Sequence, residues 1–142
     1  MLTLFDDVFS PYARKVRIAL YEKGIEFERV RALHGDCNRT DFVDVNPRAE
    51  VPAIIHDGFS LYDSTVICEY LEERFPDPAL YPIDLGRRAT CRIVEDLADT
   101  QLDAALYAVA VVEMGRGESH PQMHERLAAD DAQLPPSPKA PA

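Results

Sequence analysis

Apolar and polar positions fall into short blocks from the first residue onward. The apolar run Leu2 to Phe5 precedes the pair Asp6-Asp7 and reads as a buried strand. From Pro11 to about Lys23, Tyr12, Val16, Ala19, Leu20 and Lys23 recur at helical spacing. Pro11 suits a first helical position, where the missing N–H costs nothing, and Gly24 supplies a residue that can turn left-handed past the helix end. Ile25 to Val30 then alternates as a strand. Strand–helix–strand with a connection of this length predicts a right-handed parallel crossover.

The stretch from Arg31 to Arg48 is polar and irregular, with one helical turn expected around Thr40 to Val45. Two apolar runs follow, Val51 to His56 and Phe59 to Asp63, joined by Asp57-Gly58, a strong hairpin signal. Ser64 to Phe75 reads as an amphipathic helix with Ile67, Tyr70 and Leu71 inward, stopped by Pro76 and Pro78. Residues 1–80 therefore predict one α/β unit, β-α-β, an irregular link, then β-β-α, on a mixed sheet. A long helix is expected from Leu85 to about Met114, ended by Gly115 and Gly117, and another from about Pro121. Together, 85–134 reads as a partial all-α domain. Four prolines in 135–142 cannot continue a helix, so a disordered or polyproline-like tail is expected there.

Composition narrows the classes of function. With 46% apolar and 28% charged residues, the chain is expected to be globular and not disordered. A net charge of −10 offers no footprint for nucleic acid or an anionic membrane, though a local basic patch can still bind a small anion. No apolar run approaches the roughly 20 residues of a membrane span, and "MLTLFDDVFS" lacks the basic start of a secretory signal. Three widely spaced cysteines, Cys37, Cys68 and Cys91, fit reduced thiols in the cytoplasm and contain no Cys-x-x-Cys pair.

Three positions carry candidate chemistry. Ser10, before Pro11, can cap its helix by accepting backbone N–H bonds. The same hydroxyl, at the positive end of the helix dipole with Arg14 one turn in, can instead donate to an anion. Lowering a thiol pKa near 8.5 by about two units requires roughly 2.7 kcal/mol, within reach of a dipole plus one charge-assisted hydrogen bond. Val51-Pro52 is either an ordinary edge proline or a cis bond, which would turn the Val51 backbone toward an extended peptide ligand. Asp63-Ser64 is an N-cap, and it can also offer a carboxylate to an ammonium group beside amide and hydroxyl donors for a carboxylate.

"SPYARKVRIALYEKGIEFE", "NPRAEVPAIIHDG" and "LYDSTVICEYLEERFPDPALYP" resemble, in order and spacing, the N-terminal thioredoxin-like domain of cytosolic glutathione transferases. "ADTQLDAALYAV" resembles the first helix of the family's all-helical second domain. The resemblance implies glutathione as co-substrate and Ser10 as donor to its thiolate. It implies a cis Pro52, Val51 clasping the cysteinyl unit, and Asp63 and Ser64 holding the γ-glutamyl end. Arg39 and Arg48 lie where the family often supplies a cation for the glycyl carboxylate, although solvated surface arginine is the plainer reading. Glu50 departs from the Lys or Gln common before Val-Pro. A small electrophile and a homodimer are the implied partners, with no nucleic acid and no membrane.

The family's helical domain is longer than the 60 residues that follow Pro82. The electrophile site is therefore expected to be incomplete, or completed by another chain. The alternative is a non-catalytic module on the same fold, as in stringent starvation protein A, which binds RNA polymerase. A thiol-disulfide reductase is disfavoured because position 10 is Ser and not Cys. His120 and His124 have the spacing of a metal pair but no evident third ligand, so no metal is expected, and Cys68 reads as a buried thiol.

Overall fold

The computed structural model describes residues 1–32, 40–103, 105 and 106. Arg39, Cys37, His120, His124, the later part of the long helix, the helix from Pro121 and the 135–142 tail lie outside the described residues. Met1–Leu80 forms one compact unit, and a second begins at Tyr81.

In the first unit, β1 (Leu2–Asp6), α1 (Pro11–Glu22), β2 (Phe27–Arg31), α2 (Thr40–Val43), β3 (Ala53–His56), β4 (Phe59–Tyr62) and α3 (Ser64–Arg74) follow one another. The strands make one sheet in the order β2-β1-β3-β4. β1 and β2 are parallel, joined through α1, while β1–β3 and β3–β4 are antiparallel. This is the mixed-sheet α/β fold that the hydrophobic pattern predicts. The β3–β4 turn has positive φ at both Asp57 and Gly58, 50° and 86°, as a two-residue hairpin with the right-handed strand twist requires.

Side chains of β1 alternate between faces. Leu2 and Leu4 pack with Phe27 and Ile54 beneath Val16, Ala19 and Leu20 of α1 and Ile67, Cys68 and Leu71 of α3. On the other pleat, Phe5 joins Ala32, Phe42, Ala53 and Val51 in a smaller cluster. Cys68 is buried, as expected for a thiol on that face.

Among the described residues, Asp6 and Glu72 each anchor buried ion pairing within this hydrophobic frame. Asp6 follows Leu2 and Leu4 on the α1 side of the sheet and is fully buried. It accepts Arg17 at 3.2 Å and Arg29 at 2.5 Å. Arg17 thus lies on the buried side of α1, a position that the apolar periodicity does not mark. At the far end of the helix pair, the Lys23 ammonium meets Glu72 at 2.6 Å and donates to the Phe75 and Pro78 carbonyls. Glu72 also accepts the Leu80 N–H at 3.1 Å, which pins the segment that follows α3.

Two boundaries differ from the pattern. β3 starts at Ala53 and not Val51, because Pro52 has no N–H to give a ladder. β2 starts two residues later than Ile25, whose N–H instead closes α1 on the Leu20 carbonyl. Among the described residues of the expected long helix, α4 (Leu85–Leu97) is α-helical, capped by the Asp84 carboxylate on Arg87 N. It then passes into a π-helical turn, Ala98–Leu102, where the Asp103 N–H reaches back to Ala98 O. Thr100 Oγ1 donates to Asp96 O at 2.7 Å, a back-bond of the kind that perturbs α geometry.

Asp6→Asn would leave two guanidiniums around a neutral amide. A loss of about 3 kcal/mol is expected, measured as a lower urea midpoint with an unchanged slope.

Candidate functional site

The strand register brings the candidate residues to one end of the sheet. Phe5 pairs with Ala53, and Ala53 with Tyr62, so these three form one row across β1, β3 and β4. Ser10 lies just past the β1 end of that row, Val51 just before its β3 member, and Asp63 directly after its β4 member. α1 and α3 both begin at this end, so two positive helix termini flank the start of β3. Neither helix has an acidic residue in its first turn.

Ser10 is the N-cap of α1, with Oγ accepting the Ala13 N–H at 3.1 Å. The approach to it is ordered by Asp7, which is buried, accepts the Phe9 N–H on its carboxylate, and accepts the Ser10 N–H on its carbonyl. Capping consumes one lone pair of the hydroxyl, not its proton, so the O–H can still donate. The two roles open at Ser10 are therefore compatible.

The Val51–Pro52 peptide bond is cis. Among the described residues, the Val51 amide and carbonyl take part in no hydrogen bond, a state in which an extended peptide can pair with them. The preceding loop is held by Asn46, a residue that the sequence pattern does not single out. Asn46 is buried, donates through Nδ2 to Glu50 O at 2.6 Å and accepts the Arg48 N–H at 2.9 Å. Its only signal in the sequence is its place before Pro47. Arg48 and Glu50, both exposed, pair with each other at 3.1 Å.

Asp63 stands at φ 75°, unusual for a residue with a Cβ. Its Oδ1 accepts both Thr65 N–H and Val66 N–H, at 3.1 and 3.2 Å. Such strain typically costs about 1–3 kcal/mol and gathers at functional positions. Ser64, buried beside it, opens α3. Lys15 of α1 donates to Thr65 Oγ1 at 3.0 Å and so ties the starts of the two helices together.

A mixed four-stranded sheet with α1 and α3 on one face, and this loop set at one end, defines a thioredoxin-like domain. Residues 4–79 match the family model for the glutathione S-transferase N-terminal domain. The chain belongs to that family. A probable glutathione transferase from Aplysia californica is 41% identical over 85 residues, covering 58% of this chain and 89% of that protein. A stringent starvation protein A homolog from Haemophilus ducreyi is 37% identical over 83 residues, covering 58% of this chain and 38% of the relative. Among solved structures, a glutathione S-transferase from Rhodospirillum rubrum superposes with a TM-score of 0.69 at 36% identity, over 73% of this chain and 47% of that one. The chain thus spans less than half the length of these last two. Among the described residues, no helix is long and apolar enough to cross a membrane.

Ser10→Ala removes the acceptor of the Ala13 N–H and is expected to lower stability by about 1 kcal/mol. At Asp63 both Ala and Gly lose the cap, but only Gly accepts positive φ without strain. Chemical denaturation should therefore find Asp63→Gly the milder change of the two.

Proposed function

We propose that the chain binds glutathione and activates its thiol for attack on a small electrophile. The observation that carries this reading is the single row Phe5–Ala53–Tyr62, with Ser10, Val51 and Asp63-Ser64 at its margin. Their chemistry matches the tripeptide along its length. Val51 offers an N–H and C=O, unpaired among the described residues, to the cysteinyl backbone. Asp63 pairs with the γ-glutamyl ammonium, and the first turn of α3 with Ser64 receives the neighbouring carboxylate. Ser10 donates a hydrogen bond to the thiolate while its lone pair keeps the Ala13 N–H. Arg39 is the cation assigned to the glycyl carboxylate.

Catalysis on this reading is thiolate stabilisation plus positioning. Family membership and the named transferases among the relatives support it. The domain division belongs to the same proposal: 1–80 holds glutathione, 85–134 is a partial helical domain, and 135–142 is a tail. Leu85, Ile93, Val94 and Leu97 are exposed on α4, and a second copy of the chain is the proposed cover in a cytoplasmic homodimer. Light scattering at micromolar concentration should give twice the monomer mass, and a monomer would remove the dimer from the proposal.

A second reading, a non-catalytic interaction module, is favoured by the similarity to stringent starvation protein A homologs. Isothermal titration separates the two. Glutathione should release or absorb measurable heat at millimolar ligand, and silence would leave the interaction module. In a conjugation assay, Ser10→Ala should lose most turnover, about a hundredfold for one donor to a developing or stabilised anion, while glutathione binding largely persists. Unchanged turnover would discard the role of Ser10.

A further inference from the structure

Asn46 engages each of its polar groups inside the loop that leads to Val51. Its N–H donates to Phe42 O at 2.9 Å, at the end of α2, and its carbonyl accepts the Ala49 N–H at 2.9 Å. Oδ1 accepts the Arg48 N–H at 2.9 Å, and Nδ2 donates to Glu50 O at 2.6 Å. The residue is buried. One side chain and its own backbone thus close the turn 46–50. Within that turn Ala49 is held at φ 52°, a left-handed conformation that a residue with a Cβ rarely adopts.

The Glu50 carbonyl and the Val51 N–H belong to one planar peptide group. Cis bonds among the described residues are Val51–Pro52 and Asp77–Pro78, so the Glu50–Val51 bond is trans and its N–H points opposite to its C=O. Holding one end of this plane therefore aims the other. With its carbonyl fixed by Asn46, the group turns the Val51 N–H away from Asn46, where it has no partner among the described residues. A donor on the carbonyl also polarises the amide and strengthens its N–H.

We propose that Asn46 is a positioning residue of this site: by holding the Glu50 carbonyl, it aims the Val51 N–H at the cysteinyl carbonyl of glutathione. The proposal rests on the glutathione reading above. Asn46 itself touches no ligand atom and acts through Val51. The competing account is that Asn46 only closes its loop, in which case its loss weakens every ligand alike.

The test is titration of two ligands into wild type and Asn46→Asp. One ligand is glutathione. The other replaces its cysteinyl–glycyl amide with an E-alkene, which keeps both charged ends and the thiol but has no carbonyl for Val51. Aspartate retains the acceptor for the Arg48 N–H and withdraws the donor to Glu50 O, and its added charge acts on both ligands. Wild type should bind glutathione about fivefold more tightly than the alkene, as one hydrogen bond allows, and Asn46→Asp should bind the two alike. Equal losses on both ligands, as a purely structural role would produce, overturn the proposal, and so does a wild type without the preference. If the alkene binds too weakly to measure, the Val51 amide proton decides by NMR. Glutathione should move it downfield in wild type and hardly at all in Asn46→Asp, and equal movements overturn the proposal. If Asn46→Asp does not fold, Asn46→Ala is read in the same way, and failure of both to fold makes Asn46 purely structural and overturns the proposal. Wild type that binds neither ligand overturns the glutathione reading itself and this inference with it. Wild type that prefers glutathione, with the preference intact in Asn46→Asp, overturns this inference alone.

Discussion

The antiparallel register of β1 against β3 governs the end of the domain where Ser10, Val51 and Asp63 stand. Because side chains alternate along a strand, a one-residue slip would move Ile54 out of the main cluster and turn Ala53 into it. The same slip would carry Val51 away from the start of α1 and displace Asp63 through the β4 hairpin. Two independent features hold the register. Leu2, Leu4 and Ile54 must all face the helices, and the Asp57-Gly58 turn leaves no spare residue between β3 and β4. The core and the site are thus products of one pairing choice.

Buried charge at Asp6 serves the same end. A carboxylate at the last position of β1 is costly unless it is paired, and Arg17 and Arg29 reach it from the helix above and the strand beside it. The pairing ties β1, α1 and β2 at the point where the chain leaves the sheet toward Ser10. Asp7 then sets the path of that loop through its two bonds. The position of one hydroxyl is determined by a succession of ordinary contacts, each with its own local reason.

What the sequence discloses here follows the range of each interaction. Pro11, Asp57-Gly58, Asp63 and the proline pair after Phe75 act within a few residues of themselves, and the elements that they delimit are visible without coordinates. The site motifs were legible for the same reason, since a helix cap and an X-Pro bond are local. Arg17 was not legible as a buried group, because its partner Asp6 is brought to it by the fold. Lys15 and Thr65 stand fifty residues apart in the chain, and nothing in either neighbourhood announces the other. Asn46 was hidden by its plainness, as a polar residue in a polar stretch. The π-helical turn at Ala98–Leu102 leaves no mark that a hydrophobic period registers.

The clamp of Lys23 on Glu72, Phe75 and Pro78 closes one end of the α1–α3 pair, and Lys15 on Thr65 closes the other. Two helices fastened at both ends have little freedom to splay or slide. A small molecule settling between their N-termini then orders few additional groups, and the entropy that a looser pair would surrender on binding has already been lost in folding. Association between these two helix starts should need little reordering of α1 and α3, so that their share of the heat-capacity change is set by the area covered.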